Sequence, residues 1–268
     1  MEYTVNDHTI TYNATGERAF GEPRVLLHGA EDLAAKTSWA ESGFSIQPFL
    51  DAATYQQFHR NARQLLFRCW KKAGIHVPED FNLERYHQLV PDLQSHLRAV
   101  EQTKLLSTSD FPVSVDIIEK RIGEICGARL RAFNPFDQQS VFHFRVIRPT
   151  SGDNNPLHRD VWLQDYDNCI NLYIPIAGSN ELSSLVLIPG SHYWPESRIE
   201  RTVHGAVINN LRFNVPAVTG VSGKFTCVRP NPGINEVLIF SPYLIHGGAV
   251  NLNSDTTRIS IELRLWKL

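Results

Sequence analysis

The sequence lacks the features that mark several functional classes. Its formal net charge is only −2 and 20% of its residues are charged, so it has no basic footprint for a nucleic-acid partner. Its four cysteines form no Cys-x-x-Cys pair, which argues against a zinc site or a disulfide framework. No apolar run approaches the roughly 18 residues of a membrane span, and the N-terminus shows no secretory leader. We therefore expect a cytoplasmic protein with neither a nucleic-acid nor a membrane partner.

The hydrophobic pattern divides the chain into two regions. Apolar residues recur at three- and four-residue steps, as is typical of amphipathic helices, in the tracts 48–73, 82–90, 91–106 and 114–126. Beyond these, short apolar strands between Pro, Gly and Asn turns predict a sandwich or jelly roll. With 268 residues, 42% of them hydrophobic, the chain can bury one large core. We expect one domain, 1–268, with a mostly helical N-terminal region over residues 1–127 and a β core over residues 128–268.

The strongest chemical signal is a His-x-Asp tripeptide. His158 and Asp160 lie two residues apart in a predicted strand, so their side chains face the same way. One imidazole and one carboxylate are two of the three ligands of a non-haem iron site. His246, at the end of another apolar strand, can supply the third. Twelve residues further on, Arg258 and Ser260 share one strand face.

This order of residues resembles the phytanoyl-CoA dioxygenase-like branch of the Fe(II)/2-oxoglutarate-dependent oxygenases. The segment Ile188–His192, Ile-Pro-Gly-Ser-His, resembles a structural signature of the same branch, in which we expect His192 to form a structural hydrogen bond. The resemblance covers residues 140–266 well and the helical first half only loosely. It implies a mainly β fold with flanking N-terminal helices, built on a double-stranded β-helix, the cupin-like jelly roll.

The resemblance also implies roles for individual residues. The expected iron ligands are His158, Asp160 and His246. Arg258 is expected to bind the distal carboxylate of 2-oxoglutarate, because a guanidinium can donate two parallel hydrogen bonds to a carboxylate. Further candidates for co-substrate binding share the relevant strand faces: Ser260, Asn171 and Tyr173. With O₂ as the other co-substrate, the products implied are succinate, CO₂ and an oxidised substrate.

The favoured function is therefore hydroxylation of a small molecule by a non-haem dioxygenase. Desaturation, epimerisation and ring formation stay open, because they depend on how the substrate is placed. A cupin-like metal-binding or sensor protein without turnover is the alternative, although it has no need of the Arg-x-Ser pair. A zinc hydrolase is weaker still, since no carboxylate is spaced as a general base. The chain alone does not distinguish a monomer from a homodimer.

The tract 193–235 is long and only weakly periodic, which is typical of a functional lid or binding loop. It contains only two acidic residues, Glu196 and Glu200, but five basic ones: Arg198, Arg201, Arg212, Lys224 and Arg229. This excess predicts either a solvated surface or a lid that meets a polar or anionic group of the substrate.

Overall fold

The computed structural model describes residues 1–29, 31–163 and 166–268. Within these ranges the α-helices are α1 (Ala52–Lys72), α2 (Tyr86–Leu89), α3 (Leu93–Glu101) and α4 (Val115–Cys126). Short 3₁₀-helices occur at Leu26–Gly29, Leu83–Arg85, Thr108–Asp110, Asp160–Trp162, Ser191–Tyr193 and Glu196–Arg198. The strands are β1 (Glu2–Val5), β2 (His8–Thr11), β3 (Arg18–Phe20), β4 (Phe44–Pro48), β5 (Leu106–Ser107), β6 (Leu130–Arg131), β7 (Val141–Ile147), β8 (Cys169–Ala177), β9 (Val186–Leu187), β10 (Ile199–Thr202), β11 (Ala206–Ile208), β12 (Leu211–Phe213), β13 (Val218–Val221), β14 (Glu236–Phe240), β15 (His246–Gly247) and β16 (Arg258–Lys267).

The helices follow the local signals of the sequence. The Asp51 carboxylate caps α1 by accepting two backbone hydrogen bonds from its first turn, and α4 ends at Gly127, whose φ of 62° is left-handed. The predicted helix in the tract 114–126 is confirmed, and the one in the tract 48–73 is confirmed from Ala52 onward, since Pro48 belongs to β4. α3 is shorter than predicted, and Leu105, with a φ of 49°, cannot continue a helix. No helix among the described residues combines the length and the hydropathy of a membrane span.

The largest sheet has the order β4-β14-β8-β16-β7-β5, with β6 also paired to β16. Side chains alternate between its two faces, as β16 illustrates. The apolar residues of β16 pack in the same core cluster as the helices: Ile259, Ile261, Leu263 and Leu265. Its polar residues alternate with these and face the other way: Arg258, Ser260, Glu262 and Arg264. The helices therefore cover one face of the sheet. The other face lines the space between this sheet and the short strands opposite it, and this space is called the interior of the barrel below.

Short antiparallel pairings build the opposite wall of the barrel. β15 pairs with β9, while isolated bridges join His158 to His246 and Leu187 to Val228. Leu187 packs in one buried cluster with Tyr173 of the large sheet, so the two walls share an interior. Two antiparallel walls around a common interior make a jelly roll. The predicted mainly β jelly roll with flanking N-terminal helices is confirmed.

The helical region and the large sheet share one apolar core. Trp70 of α1, Ile122 of α4 and Leu172 of β8 belong to the same buried cluster. The N-terminal region also contributes strands, because β4 pairs along its whole length with β14. This common core supports the proposal of a single domain.

The tract 193–235 contains ordered strands, β10 to β13, and β10 lies between β13 and β3. The Arg198 guanidinium lies 3.6 Å from the ring centroid of Trp194 and donates to two backbone carbonyls. Arg201 lies 3.7 Å from Glu196. Neither arginine lines the interior cavity. Both side chains therefore have structural contacts in place of the predicted contact with a substrate.

Apolar tracts of the sequence predict strands at 223–228 and 247–252, and both predictions are wrong in extent. The strand nearest the first tract, β13, ends at Val221, and within the tract Val228 forms an isolated bridge to Leu187. The strand at the second tract is β15, which is two residues long. Gly223, Gly247 and Gly248 have positive φ angles of 79°, 113° and 51°. Such angles suit glycine and interrupt an extended chain.

Candidate active site

Three buried side chains converge inside the barrel. The Nε2 atom of His158 lies 3.4 Å from Oδ1 of Asp160, and Nε2 of His246 lies 3.7 Å from the same oxygen. The three potential ligand atoms all lie within 4.8 Å of one another. Two imidazole nitrogens and one carboxylate oxygen at these separations can hold a single divalent metal ion on one face.

Backbone pairing brings these distant residues together. His158 and His246 exchange backbone hydrogen bonds of 2.8 and 2.9 Å. Asp160 begins a 3₁₀-helix, and its N–H donates to the carbonyl of Pro242 at 3.1 Å. The prediction that His158 and Asp160 share one strand is therefore wrong. Their side chains still meet, because the 3₁₀-helix that begins at Asp160 places its carboxylate 3.4 Å from the His158 ring.

Both imidazoles are oriented for metal binding by the backbone. Nδ1 of His158 lies 2.8 Å from the carbonyl of Pro156, and Nδ1 of His246 lies 2.9 Å from the carbonyl of Leu244. A carbonyl only accepts, so each Nδ1 carries the proton and each Nε2 keeps its lone pair. Burial, with His158 beside it, lowers the pKa of His246 to about 4. The imidazole of His246 is therefore neutral, as a ligand must be.

The two oxygens of Asp160 have different surroundings. Oδ2 accepts hydrogen bonds from Nδ2 of Asn171 at 2.9 Å and from Nε and Nη2 of Arg264 at 3.1 and 3.0 Å. Oδ1 is buried and has no hydrogen-bond partner among the residues that the structure describes. Burial raises the pKa of Asp160, but Arg264 and the two histidines outweigh it, so the pKa lies well below its usual range. An ionised, unpaired oxygen facing two imidazoles fits a metal ion.

Asn171 contacts one of the candidate metal ligands. The sequence predicts that it binds the co-substrate, and in the structure its amide Nδ2 donates to the carboxylate of Asp160. Hydrogen bonds to a ligating carboxylate orient it and tune the metal it holds. Tyr173 packs with its ring centroid 5.5 Å from Cζ of Arg258, and its hydroxyl lies 2.8 Å from Oγ of Ser179.

Arg159, between the two ligands of the tripeptide, anchors this segment. It is fully buried and donates to the Glu196 carboxylate and to the backbone carbonyl of Ser191. Trp162 donates to the other oxygen of Glu196 at 2.9 Å. His192, in the neighbouring turn, lies with Nε2 2.9 Å from the carbonyl of Ala40, which agrees with its predicted structural role.

Arg258 and Ser260 present donors without partners. Arg258 is only 3% exposed, and its Nε atom and the buried hydroxyl of Ser260 have no hydrogen-bond partner among the described residues. No described acidic residue forms an ion pair with Arg258. A buried cation without a counter-charge is costly, and a bound carboxylate would offset that cost. The pair therefore fits a carboxylate ligand, as predicted.

One cavity of ≈ 430 Å³ connects these groups, and His158, Asp160, His246 and Arg258 all line it. Of the predicted lid, the segment 211–215 lines the same cavity. A metal ion and a carboxylate ligand could therefore lie in one cavity.

Residues 41–260 match the model of a family described as phytanoyl-CoA dioxygenase (PhyH). This stretch is about four fifths of the chain and contains both histidines, Asp160 and Arg258. The chain belongs to the phytanoyl-CoA dioxygenase family. No curated protein matches its sequence significantly.

Solved structures similar to this family member are distant in sequence. EvdMO1 is 18% identical with a TM-score of 0.51, over 85% of this chain and 48% of that one. EctD from S. alaskensis, with 2-oxoglutarate and 5-hydroxyectoine, is 14% identical with a TM-score of 0.47, over 96% and 86%. The non-heme alpha ketoglutarate dependent epimerase SnoN from nogalamycin biosynthesis is 12% identical with a TM-score of 0.47, over 88% and 81%. At such identities, the likeness to EvdMO1 shows a shared fold only.

Sequence reasoning missed two residues of the site in this phytanoyl-CoA dioxygenase family member. Glu262 and Arg264 line the cavity and lie beyond the matched stretch. Nε of Arg145 donates to Glu262 at 2.8 Å. Burial raises the pKa of Glu262, but Arg145 and Arg264 overcome this and lower it to about 2. The signal was present, because polar residues alternate with Ile and Leu along β16.

Proposed function

We propose that the chain is an Fe(II)- and 2-oxoglutarate-dependent oxygenase that hydroxylates a small molecule. The observation that carries the proposal is the presence, in one cavity, of a His-Asp-His cluster and a buried arginine. Within the described part of the chain, one carboxylate oxygen of the cluster is unpaired and the arginine has no acidic partner. Family membership and these two unpaired groups make Fe(II), 2-oxoglutarate and O₂ its cofactor and co-substrates.

The metal would be held by Nε2 of His158, Nε2 of His246 and Oδ1 of Asp160. Two neutral imidazoles and one carboxylate leave a divalent ion with a net positive charge and open positions on one face. When bound there with 2-oxoglutarate, Fe(II) supplies the O₂-dependent oxidation of an unactivated C–H bond, with succinate and CO₂ as co-products. Arg264 and Asn171 keep Oδ2 of Asp160 engaged, so that only Oδ1 turns toward the metal.

Arg258 and Ser260 would bind the distal carboxylate of 2-oxoglutarate. The guanidinium presents its donors in a rigid plane that matches a carboxylate, and the Tyr173 ring packs beside it. Burial strengthens this ion pair, because little water competes for either partner. The same residues would thus set the orientation of the co-substrate relative to the metal ligands. A metal sensor without turnover has no use for this buried cation.

Hydroxylation is the favoured outcome because Asp160 occupies the carboxylate position. In related halogenases a small residue at this position leaves room for halide. Desaturation, epimerisation and ring formation use the same ligands and differ in where the substrate carbon lies.

Iron loading tests the proposal without knowledge of the substrate. After anaerobic addition of Fe(II), we expect about one iron per chain and a visible charge-transfer band when 2-oxoglutarate is added. His246→Ala should lose both, and Asp160→Gly should lose most of the bound iron, because each removes one of three ligands. His76→Ala, at an exposed histidine, is the matched control. Full iron content and an unchanged band in His246→Ala would refute the assignment of the third ligand.

A further inference from the structure

The outer end of the cavity has an apolar wall formed by α3 and the residues after it. Leu93, Leu97 and Leu105 line the cavity, and they are 42%, 50% and 64% exposed. Leu93 and Leu97 are four residues apart, so they lie on one face of the helix. Large exposed leucines grouped beside a cavity are typical of a surface that a ligand covers.

A second apolar wall comes from the hairpin of β11 and β12 and the residues after it. Leu211, Phe213 and Val215 line the cavity and are partly buried. Asn209 and Asn210, with φ angles of 52° and 63°, form the two-residue turn that such hairpins favour. The cavity that the metal ligands line is therefore also lined by two apolar segments, one from each of these regions.

Two basic residues that line the cavity are exposed to solvent: Lys104 follows α3 and Arg212 lies on β12. Neither side chain forms a hydrogen bond or an ion pair with another described residue. No acidic residue among the cavity-lining residues is exposed. The unpaired charge at the entrance is therefore positive.

The acidic residues deeper in the cavity do not neutralise this charge. Asp153, Asp160 and Glu262 are each already paired with an arginine, namely Arg148, Arg264 and Arg145. An anion at the entrance would thus meet two free cations and no competing carboxylate.

We infer that the substrate is an amphipathic anion. Its apolar body would lie between the leucines of α3 and the 211–215 wall, and its anionic group, a carboxylate or a phosphate, would lie at Lys104 and Arg212. The inference rests on the proposed function, since the end of the molecule that faces His158, Asp160 and His246 is the end that is oxidised. Burial of apolar surface supplies the affinity, and the two cations supply the preference for an anion.

Calorimetric titration with decanoate, decyl phosphate and decan-1-ol tests this inference. The protein is first saturated with Zn(II) and 2-oxoglutarate, so that the probes cannot use Arg258. We expect at least one of the two anions to bind about five- to tenfold more tightly than the alcohol, because each exposed ion pair contributes a few-fold in affinity. This preference should shrink at high salt. The two anionic probes distinguish a carboxylate from a phosphate group.

Three variants separate the charge from the apolar wall. Lys104→Ala with Arg212→Ala should weaken the preferred anion about five- to tenfold and leave decan-1-ol unchanged. Leu97→Ser should weaken all three probes, because it removes apolar contact. Arg98→Ala is the matched control, since Arg98 is an exposed cation on the same helix that does not line the cavity.

Two results would overturn the inference. Equal affinity of the parent protein for the alcohol and both anions would refute the inferred anionic group of the substrate. An unchanged anion affinity in the Lys104 and Arg212 double variant would refute it as well. Failure of every probe to bind would refute the inference that the substrate is amphipathic. A separate titration of the parent with 2-oxoglutarate and Zn(II) tests the proposed function alone. If 2-oxoglutarate fails to bind while decanoate affinity still depends on Lys104 and Arg212, the function is wrong and the inference about the ligand stands.

Discussion

Arg258→Ala should abolish the tight binding of 2-oxoglutarate. Arg258 is 3% exposed, and its Nε has no hydrogen-bond partner in the described structure. A bound carboxylate would therefore supply the counter-charge that offsets the cost of burying the guanidinium. Removing one member of a buried, hydrogen-bonded ion pair costs roughly 3–5 kcal/mol. At about 1.4 kcal/mol per tenfold, the dissociation constant should rise by two to three orders of magnitude or more.

Thermal unfolding with Zn(II) in place of iron measures this loss without turnover. Ligand at a hundred times its dissociation constant stabilises the native state by about 2.7 kcal/mol, which is roughly 5–11 °C for a domain of this size. At the same concentration, a hundredfold weaker ligand contributes about 0.4 kcal/mol, or roughly 1 °C. Pyruvate lacks the distal carboxylate and should produce the same shift in Arg258→Ala as in the parent.

The stability of the ligand-free variant provides an internal check. Because Arg258 has no acidic partner, its removal deletes an uncompensated buried charge, and the melting temperature without ligand should not fall as it would for a paired arginine. Arg68→Ala, at an exposed arginine of α1, is the matched control for charge loss. An undiminished 2-oxoglutarate shift in Arg258→Ala would refute the clamp, and the alternative of a metal-binding protein without turnover would then gain support.

Two further predictions concern contacts around the site. Arg264→Met removes two of the three donors to Oδ2 of Asp160 and should weaken Zn(II) binding by roughly tenfold or more, as measured by calorimetry. Arg264→Lys should restore some of the affinity, while equal affinity in Arg264→Met and the parent would contradict a positioning role. Burial lowers the pKa of His96 to about 4 despite the adjacent Asp153, so below pH 6.5 the unfolded chain binds a proton that the native state does not. As the pH falls from 6.5 to 4, the free energy of unfolding should therefore decrease by up to about 3 kcal/mol because of this group. Urea unfolding of His96→Gln should show a shallower pH dependence. The same pH dependence in this variant and in the parent would exclude His96 as its source.

The candidate ligands could be proposed from the sequence because their chemistry and order are distinctive. A His-x-Asp tripeptide, a strand-end His246 and the Arg258-x-Ser260 pair need no knowledge of the pairing between strands. The expected shared strand of the first pair was nevertheless wrong, since Asp160 begins a 3₁₀-helix. Residue type was therefore more informative than the assigned backbone conformation.

The helices of the first half were predictable because their signals are local. Periodicity over 21 residues and an N-cap Asp51 identify α1. The wall that carries His246 was predicted wrongly, because the strand expected to end at His246 ends at Phe240, and His246 begins β15, which like β9 is only two residues long. Strands this short have no measurable period. Their existence depends on pairing with distant segments, and only the folded chain shows that pairing.

The sequence by itself determined which residue types face the interior of the barrel. The alternation of polar and apolar residues along β16 assigns Arg258, Ser260, Glu262 and Arg264 to one face, because the side-chain period of a strand is two. The tertiary structure alone decided their partners. Asp160 and Arg264 are 104 residues apart in the chain, and no local pattern shows that Arg264 takes Oδ2 and leaves Oδ1 for a metal. A strand period determines the direction of a side chain, whereas the group it meets depends on the packing of the whole fold.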